Sequence, residues 1–266
     1  MIFFKANAGL CNKLLAISSA LHFANVIGTR LHVLWVTDMH MSDLFTDLFE
    51  PVSVFSLHQL RVPNMRICRA VANRILPRLF DEPSGIDAIL AREESFIAAC
   101  KKKPNRIWRF ASFREFYPAE DFSWLKPRPE IMGRIAEFKG LTNGGVVGVH
   151  IRRGDHVQAM RCSPLELFYQ KIMQEISVNH SARFLLCTDD PQVKNDMRVK
   201  FPDNVFTRDF VLARKEKGGI ADAVVDLWLL SQCQKIYGTY PSSFSLVASR
   251  IGKTEFEWVR NKNEVA

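Results

Sequence analysis

The amino-acid sequence predicts an α/β fold built as two Rossmann-like halves facing a central cleft. Three observations carry this expectation. The chain opens strand–loop–helix–strand, structure-breaking stretches interrupt it near residues 126–143, and strand–helix alternation then resumes as far as residue 251. A length of 266 residues suits one large domain or two small ones.

The elements follow in order. Ile2-Phe-Phe4 is a short apolar run, and Asn7-Ala-Gly-Leu-Cys-Asn12 is rich in turn formers. Leu10, Leu14, Ile17, Leu21 and Ala24 recur at three- and four-residue steps, which places them on one helical face. Gly28 closes that helix as a C-cap, and residues 31–35 form the next strand. A β-α-β opening implies parallel strands.

The stretch from about 60 to 125 has no clear period. It carries Arg61, Arg66, Arg69, Arg74, Arg78 and Lys101-Lys-Lys103 among the aromatics Trp108, Phe110 and Phe113. A solvated basic face on short helices and a contact surface for an acceptor or anionic partner are both open there. Lys126-Pro-Arg-Pro129 and Thr142-Asn-Gly-Gly145 then mark a boundary, giving domains 1–140 and 141–266.

In the second half, residues 146–149 read as a buried strand. Ser163-Pro164-Leu-Glu166 has the spacing of a capping box with proline at the first helical position, and Leu165, Tyr169, Ile172 and Ile176 continue its apolar face. Residues 184–188 are a strand, Asp190-Pro191 opens a helix, and 222–232 is an apolar helix. Residues 235–238 are a strand, and 243–251 a last short helix.

Composition narrows the function. A net charge of +8 and a pI near 9.3 suit a partner carrying negative charge: nucleic acid, anionic lipid or a phosphorylated small molecule. Six scattered cysteines without a C-x-x-C pair fit reduced thiols. No apolar run is long enough to span a bilayer, and the amino end reads as a first strand, so the expectation is a cytoplasmic chain, compatible with peripheral association at a membrane.

The chemistry is concentrated at one strand end, Gly148-Val-His150-Ile-Arg152-Arg153-Gly154-Asp155. Ligands of open α/β sheets collect at the carboxyl ends of strands. An arginine fork matches phosphate oxygens and keeps its charge, which suits a diphosphate leaving group as negative charge grows on it. Asp155 would orient the arginines or their loop. From these residues alone, an Arg-Arg pair is more often a surface ion-pair participant.

The run resembles the H-x-R-R-x-D motif of the fucosyltransferase superfamily. Further stretches are similar to that family's: Asn7-Ala-Gly9-Leu10-Cys11-Asn12-Lys13-Leu14 to its first turn, Phe184 through Asp190 to its strand ending in Thr-Asp-Asp, Asp222-Ala-Val-Val-Asp226-Leu-Trp-Leu-Leu-Ser231 to its acidic helix, and Gly238-Thr-Tyr-Pro-Ser242-Ser243-Phe244-Ser245 to its serine-rich loop. The resemblance implies a GT-B-like enzyme with an acceptor-side domain at 1–140 and a nucleotide-sugar-binding domain at 141–266. It implies inverting transfer of fucose from GDP-fucose to a glycan or other hydroxyl acceptor, without metal or cofactor and without a nucleic-acid partner.

The resemblance also implies roles. Arg152 is the catalytic arginine on the β-phosphate, with Arg153 in support. His150, Asp155, Ser242, Ser243, Gly9 and Asn12 are donor-binding, and Asp226 accepts from guanine. Asp189 and Asp190 are either helix caps or ligand contacts. The sequence departs from the family pattern at Cys11 and Lys13, where glycine and glutamine are usual. The general base is open: His156 and Asp38 are candidates, and Asp43 a third, each also readable as a loop, turn or cap residue. A transferase for another nucleotide sugar, or an inactive module that binds a GDP-sugar, are the competing readings.

Overall fold

The computed structural model describes residues 1–38, 41–63, 68, 71, 75, 93–102, 107–142, 145–154, 156–209 and 219–261. Arg66, Arg69, Arg74, Arg78, Lys103 and the expected donor residue Asp155 lie outside them. The chain divides into two compact units, Met1–Arg128 with Ala213–Ala221, and Pro129–Leu212 with Asp222–Ala266. The division falls before Pro129, earlier than the expected 140, because Pro129 starts a helix that packs with the second unit rather than ending the first.

The first unit holds a parallel sheet in the order β3-β2-β1-β4, with β1 (Ile2–Ala6), β2 (Leu31–Val36), β3 (Ser56–Leu60) and β4 (Trp108–Ser112). Helix α1 (Leu10–Val26) links β1 to β2 and is followed by α2 (Phe45–Leu48) and α3 (Glu93–Lys102). The single apolar stripe expected for α1 is too narrow. Thirteen of its residues are buried, Lys13, Ser18 and Ser19 among them. Polar atoms this deep need partners, and the serine hydroxyls donate to the carbonyls of Asp121 (2.8 Å) and Tyr117 (2.5 Å). Past the helix Gly28 takes the left-handed conformation, φ +67°, as a closing glycine does. Trp35, Phe45, Phe49, Phe55 and Trp124 form an aromatic core through edge and stacked contacts.

The second unit holds a parallel sheet in the order β7-β6-β5-β8-β9, with β5 (Val147–Ile151), β6 (Phe184–Thr188), β7 (Val205–Phe206), β8 (Lys235–Thr239) and β9 (Glu255–Val259). Its helices are α4 (Pro129–Glu137), α5 (Lys139–Thr142), α6 (Val157–Cys162), α7 (Leu165–Val178), α8 (Pro191–Lys200), α9 (Ala221–Ser231) and α10 (Ser243–Gly252). The chain lays β5, β6 and β7 outward in one direction, then crosses back to place β8 on the other side of β5. Its topological switch point therefore lies between β5 and β8. Valines and isoleucine of β5, Phe184 and Leu186 of β6, and Phe168 and Ile172 of α7 make the core.

Two expectations are corrected. The Ser163 capping box does not form: Pro164 is the N-cap of α7, and the Ser163 hydroxyl instead donates to the Val259 carbonyl (2.5 Å) and accepts from the Tyr240 amide (2.9 Å). Residues after 251 add β9, an edge strand whose Glu255 and Glu257 alternate with Phe256 and Trp258. The six cysteines are free thiols. Among the described residues no helix is long and apolar enough to cross a membrane.

Candidate functional site

The carboxyl ends of β5 and β8 carry the arginine motif and the serine turn, and a small set of bonds ties them together. Thr239, the last residue of β8, donates its hydroxyl to the His150 carbonyl (2.9 Å) and accepts the Arg152 amide (3.0 Å). The Ser242 amide bonds the Thr239 carbonyl at 2.9 Å. The buried His150 ring stacks on Phe244 in the first turn of α10, with centroids 4.8 Å apart. Ser242 is the buried N-cap of α10 and makes no side-chain capping bond, and Ser243 is half-buried beside it. The free amides and dipole of a helix amino end favour an anion there.

The two arginines do different work. Arg152 is half-buried and its guanidinium pairs with the Asp189 carboxylate. The other Asp189 oxygen accepts the Arg153 amide at 2.8 Å. Arg153 turns inward: it is buried, donates to the Arg152 carbonyl (3.0 Å) and lies over the Phe168 ring. Burial pulls its pKa below the ordinary arginine value, although arginine keeps its proton even so. Gly154, φ +39°, completes the turn, and a Cβ there would sit 2.7 Å from Asp189. Asp189 and Asp190 thus separate. Asp190 caps α8, accepting the amides of Gln192 (2.8 Å) and Val193 (3.3 Å), whereas Asp189 holds the arginine loop. The Thr-Asp-Asp spacing did not distinguish the two roles.

Asp226 lies in α9, buried, with Oδ1 2.7 Å from Nε of Arg208. Burial pushes the Asp226 carboxyl up to about 6, against the pull of Arg208. Sequence reasoning missed Arg208, for it stands alone beyond a two-residue strand with no motif around it. His156 is the N-cap of α6, its Nδ1 accepting the Ala159 amide at 3.1 Å. Neutral imidazole has one acceptor nitrogen, and here the cap uses it, which is a poor arrangement for a base.

In the first unit, Gly9 is the N-cap of α1 at an ordinary φ of −73°, and a Cβ added to it meets nothing within 4 Å. The left-handed residue of that turn is Ala8, φ 68°. Asn12 is half-buried on α1. Lys13 is fully buried, with Nζ 3.0 Å from the Ala6 carbonyl, 3.1 Å from that of Val36 and 3.4 Å from Asp38 Oδ2. Burial lowers its pKa against the opposing pull of Asp38. Asp38 is therefore the partner of a buried cation. Asp43 is buried too, and its carboxylate accepts the Ile220 amide at 3.2 Å.

The family model described as Glycosyl transferase family 11 matches residues 104–260, more than half the chain. The chain belongs to that family. Nodulation protein Z of Bradyrhizobium diazoefficiens is 24% identical over 283 residues, covering 90% of this chain and 75% of the relative. Among solved structures, the NodZ α-1,6-fucosyltransferase co-crystallised with GDP superposes with a TM-score of 0.61 at 23% identity, covering 93% of this chain and 91% of the other. POFUT1 in complex with GDP-fucose gives 0.58 at 10% identity, covering 97% of each chain. The family 11 chain thus has the fold of these fucosyltransferases, and the resemblance read from its motifs is borne out.

Proposed function

We propose that this family 11 transferase moves fucose from GDP-fucose to a hydroxyl of a glycan-type acceptor, with inversion and without a metal ion. The observation that carries the reading is the Arg152 guanidinium, pre-held by Asp189 at the switch point of the second unit, with the serine-lined amino end of α10 tied to the same strand end. Structures of NodZ soaked with GDP-fucose and of POFUT1 in complex with GDP-fucose support this donor.

On this reading the acceptor hydroxyl attacks C1 of fucose on the face away from the diphosphate. The bond from C1 to the β-phosphate oxygen breaks, the acceptor hydroxyl gives its proton to water or to the departing diphosphate, and the configuration inverts. Charge gathers on the departing GDP, where Arg152 holds the β-phosphate and Ser242 and Ser243 donate from the helix start. Arg153 supports from behind by fixing the Arg152 carbonyl. His150, stacked on Phe244, walls the nucleotide, and Asp226 reads guanine. An arginine and helix amides supply the positive field that a divalent cation otherwise supplies, and the sequence lacks an Asp-x-Asp motif.

A panel of GDP- and UDP-sugars, each assayed with and without EDTA against a set of saccharide acceptors, tests the reading. Turnover of GDP-fucose above the others, unchanged by EDTA and giving a product of inverted anomeric configuration, is expected. Preferred turnover of a UDP-sugar would contradict the donor, and loss of rate in EDTA the metal independence.

A further inference from the structure

The buried pair between α9 and the segment after β7 was not anticipated, and it sits on the residue read above as the guanine contact. Arg208 is 5% exposed. Its Nε meets Asp226 Oδ1 at 2.7 Å, and its Nη2 lies 3.1 Å from both the Asp222 carbonyl and Asp222 Oδ1. Its guanidinium also lies over the Phe138 ring, 5.1 Å from the centroid. The Arg208 carbonyl is held in turn by Lys194 of α8, 2.8 Å away. Arg208 is thus clamped on several sides, with one edge delivered to Asp226. Among the described residues no hydrogen bond is made to Asp226 Oδ2. A carboxylate has about four acceptor positions, so the pair keeps room for two parallel N–H donors.

We infer that Arg208 is the positioning residue for base recognition, aiming the Asp226 carboxylate at the N1–H and exocyclic amino group of guanine. The inference rests on the GDP-donor reading given above. Adenine presents no such pair of adjacent donors, so a carboxylate fixed in this way discriminates between the two bases. The charged groups around Asp226 are Arg208, Lys194 of α8 and Asp222 of its own helix, and Cys187 of β6 is buried beside it with its thiol pushed well up by that burial. With Arg208 gone, one cation less opposes the burial of Asp226. The carboxyl then takes up a proton at higher pH, and a protonated carboxyl no longer accepts two N–H groups.

The test is the binding of GDP, IDP and ADP by calorimetry across about pH 5.5–8.5, in the wild type and in Asp226→Asn, Arg208→Lys and Arg208→Met, with folding checked by circular dichroism. Wild type prefers GDP, and the preference fades below about pH 6. Arg208→Met cuts the GDP-over-ADP ratio roughly ten-fold or more at neutral pH and makes GDP affinity climb with pH. Arg208→Lys keeps the charge and loses the planar fork, so it keeps the fold and loses part of the ratio. Adding Arg208→Lys to Asp226→Asn lowers the ratio no further, since both act through one contact.

A GDP-over-ADP ratio in Arg208→Lys undiminished from wild type, with Asp226→Asn abolishing it, overturns this inference alone, whether or not Arg208→Met folds. A wild type with no GDP preference overturns the donor reading as well.

Discussion

At the scale of residues, the proposed donor contacts are held in place by side chains behind them. Arg152 is aimed by Asp189, whose second oxygen takes the Arg153 amide, so one carboxylate sets both the guanidinium and the loop. Asp189→Asn should keep the fold and lower kcat by roughly 10–100-fold, the scale of losing an outer partner of a charged site. A kcat within about two-fold of wild type in a steady-state assay would show that Arg152 orients without it. Asp226 adds a pH term to stability. Its carboxyl titrates near 6 in the fold and near 3.8 outside it, so the folded state binds more protons between those values. Stability should fall as pH rises through that window. Asp226→Asn removes the slope, as urea melts at several pH values would register. The arginine loop was legible from sequence because its residues are adjacent. Asp189 read only as a cap or ligand contact, and Thr239 and Arg208 had no assigned role, because their roles depend on which strand ends lie side by side, and a chain order of 5, 6, 7, 8 does not say that β8 lies against β5.

At the scale of elements, the site depends on how β8, α10 and β9 are tied together. The Ser163 hydroxyl bonds the last carbonyl of β9 and takes the Tyr240 amide at the turn before Ser242. Ser163→Ala leaves those buried groups without it. It should cost about 1–3 kcal/mol in denaturant melts and raise the Kd for GDP, because the serine turn loosens. Gly238 is a second pin: a Cβ there would run into the Ser245 hydroxyl and into Phe256 at 2.7 Å. Gly238→Ala should cost about 1–3 kcal/mol by the same measurement. Element type was readable from short apolar runs in β5 and β6, from the apolar face of α7 and from the Asp190-Pro191 start of α8. Ser163 mimicked a capping box because the local pattern cannot report that its hydroxyl bonds elsewhere. The alternation in β9 was a usable signal, obscured by its place beyond the last helix. The wide burial of α1 was hidden because Lys13, Ser18 and Ser19 are polar and interrupt its apolar pattern, whereas each donates to a carbonyl inside the unit.

At the scale of the molecule, two parallel sheets each offer a carboxyl edge, and the ends of β5 and β8 in the second unit gather His150, Arg152, Arg153, Ser242 and Ser243. A net charge of +8 should draw an anionic donor. The apparent kcat/KM for GDP-fucose is therefore expected to fall several-fold between low salt and about 0.3 M salt, with kcat less affected. The buried Lys13 of the first unit holds the carbonyl ends of two strands together, so Lys13→Met should destabilise the chain by about 1–3 kcal/mol through the Ala6 and Val36 carbonyls that lose its donor, visible as a lower thermal midpoint. The proposed function stands on Arg152 carrying the leaving diphosphate. Its most direct measurement is turnover of GDP-fucose by Arg152→Ala alongside wild type, with circular dichroism confirming the same fold. A loss of roughly 10²–10³-fold or more in kcat is predicted, and near-normal turnover in a folded Arg152→Ala protein would contradict the account.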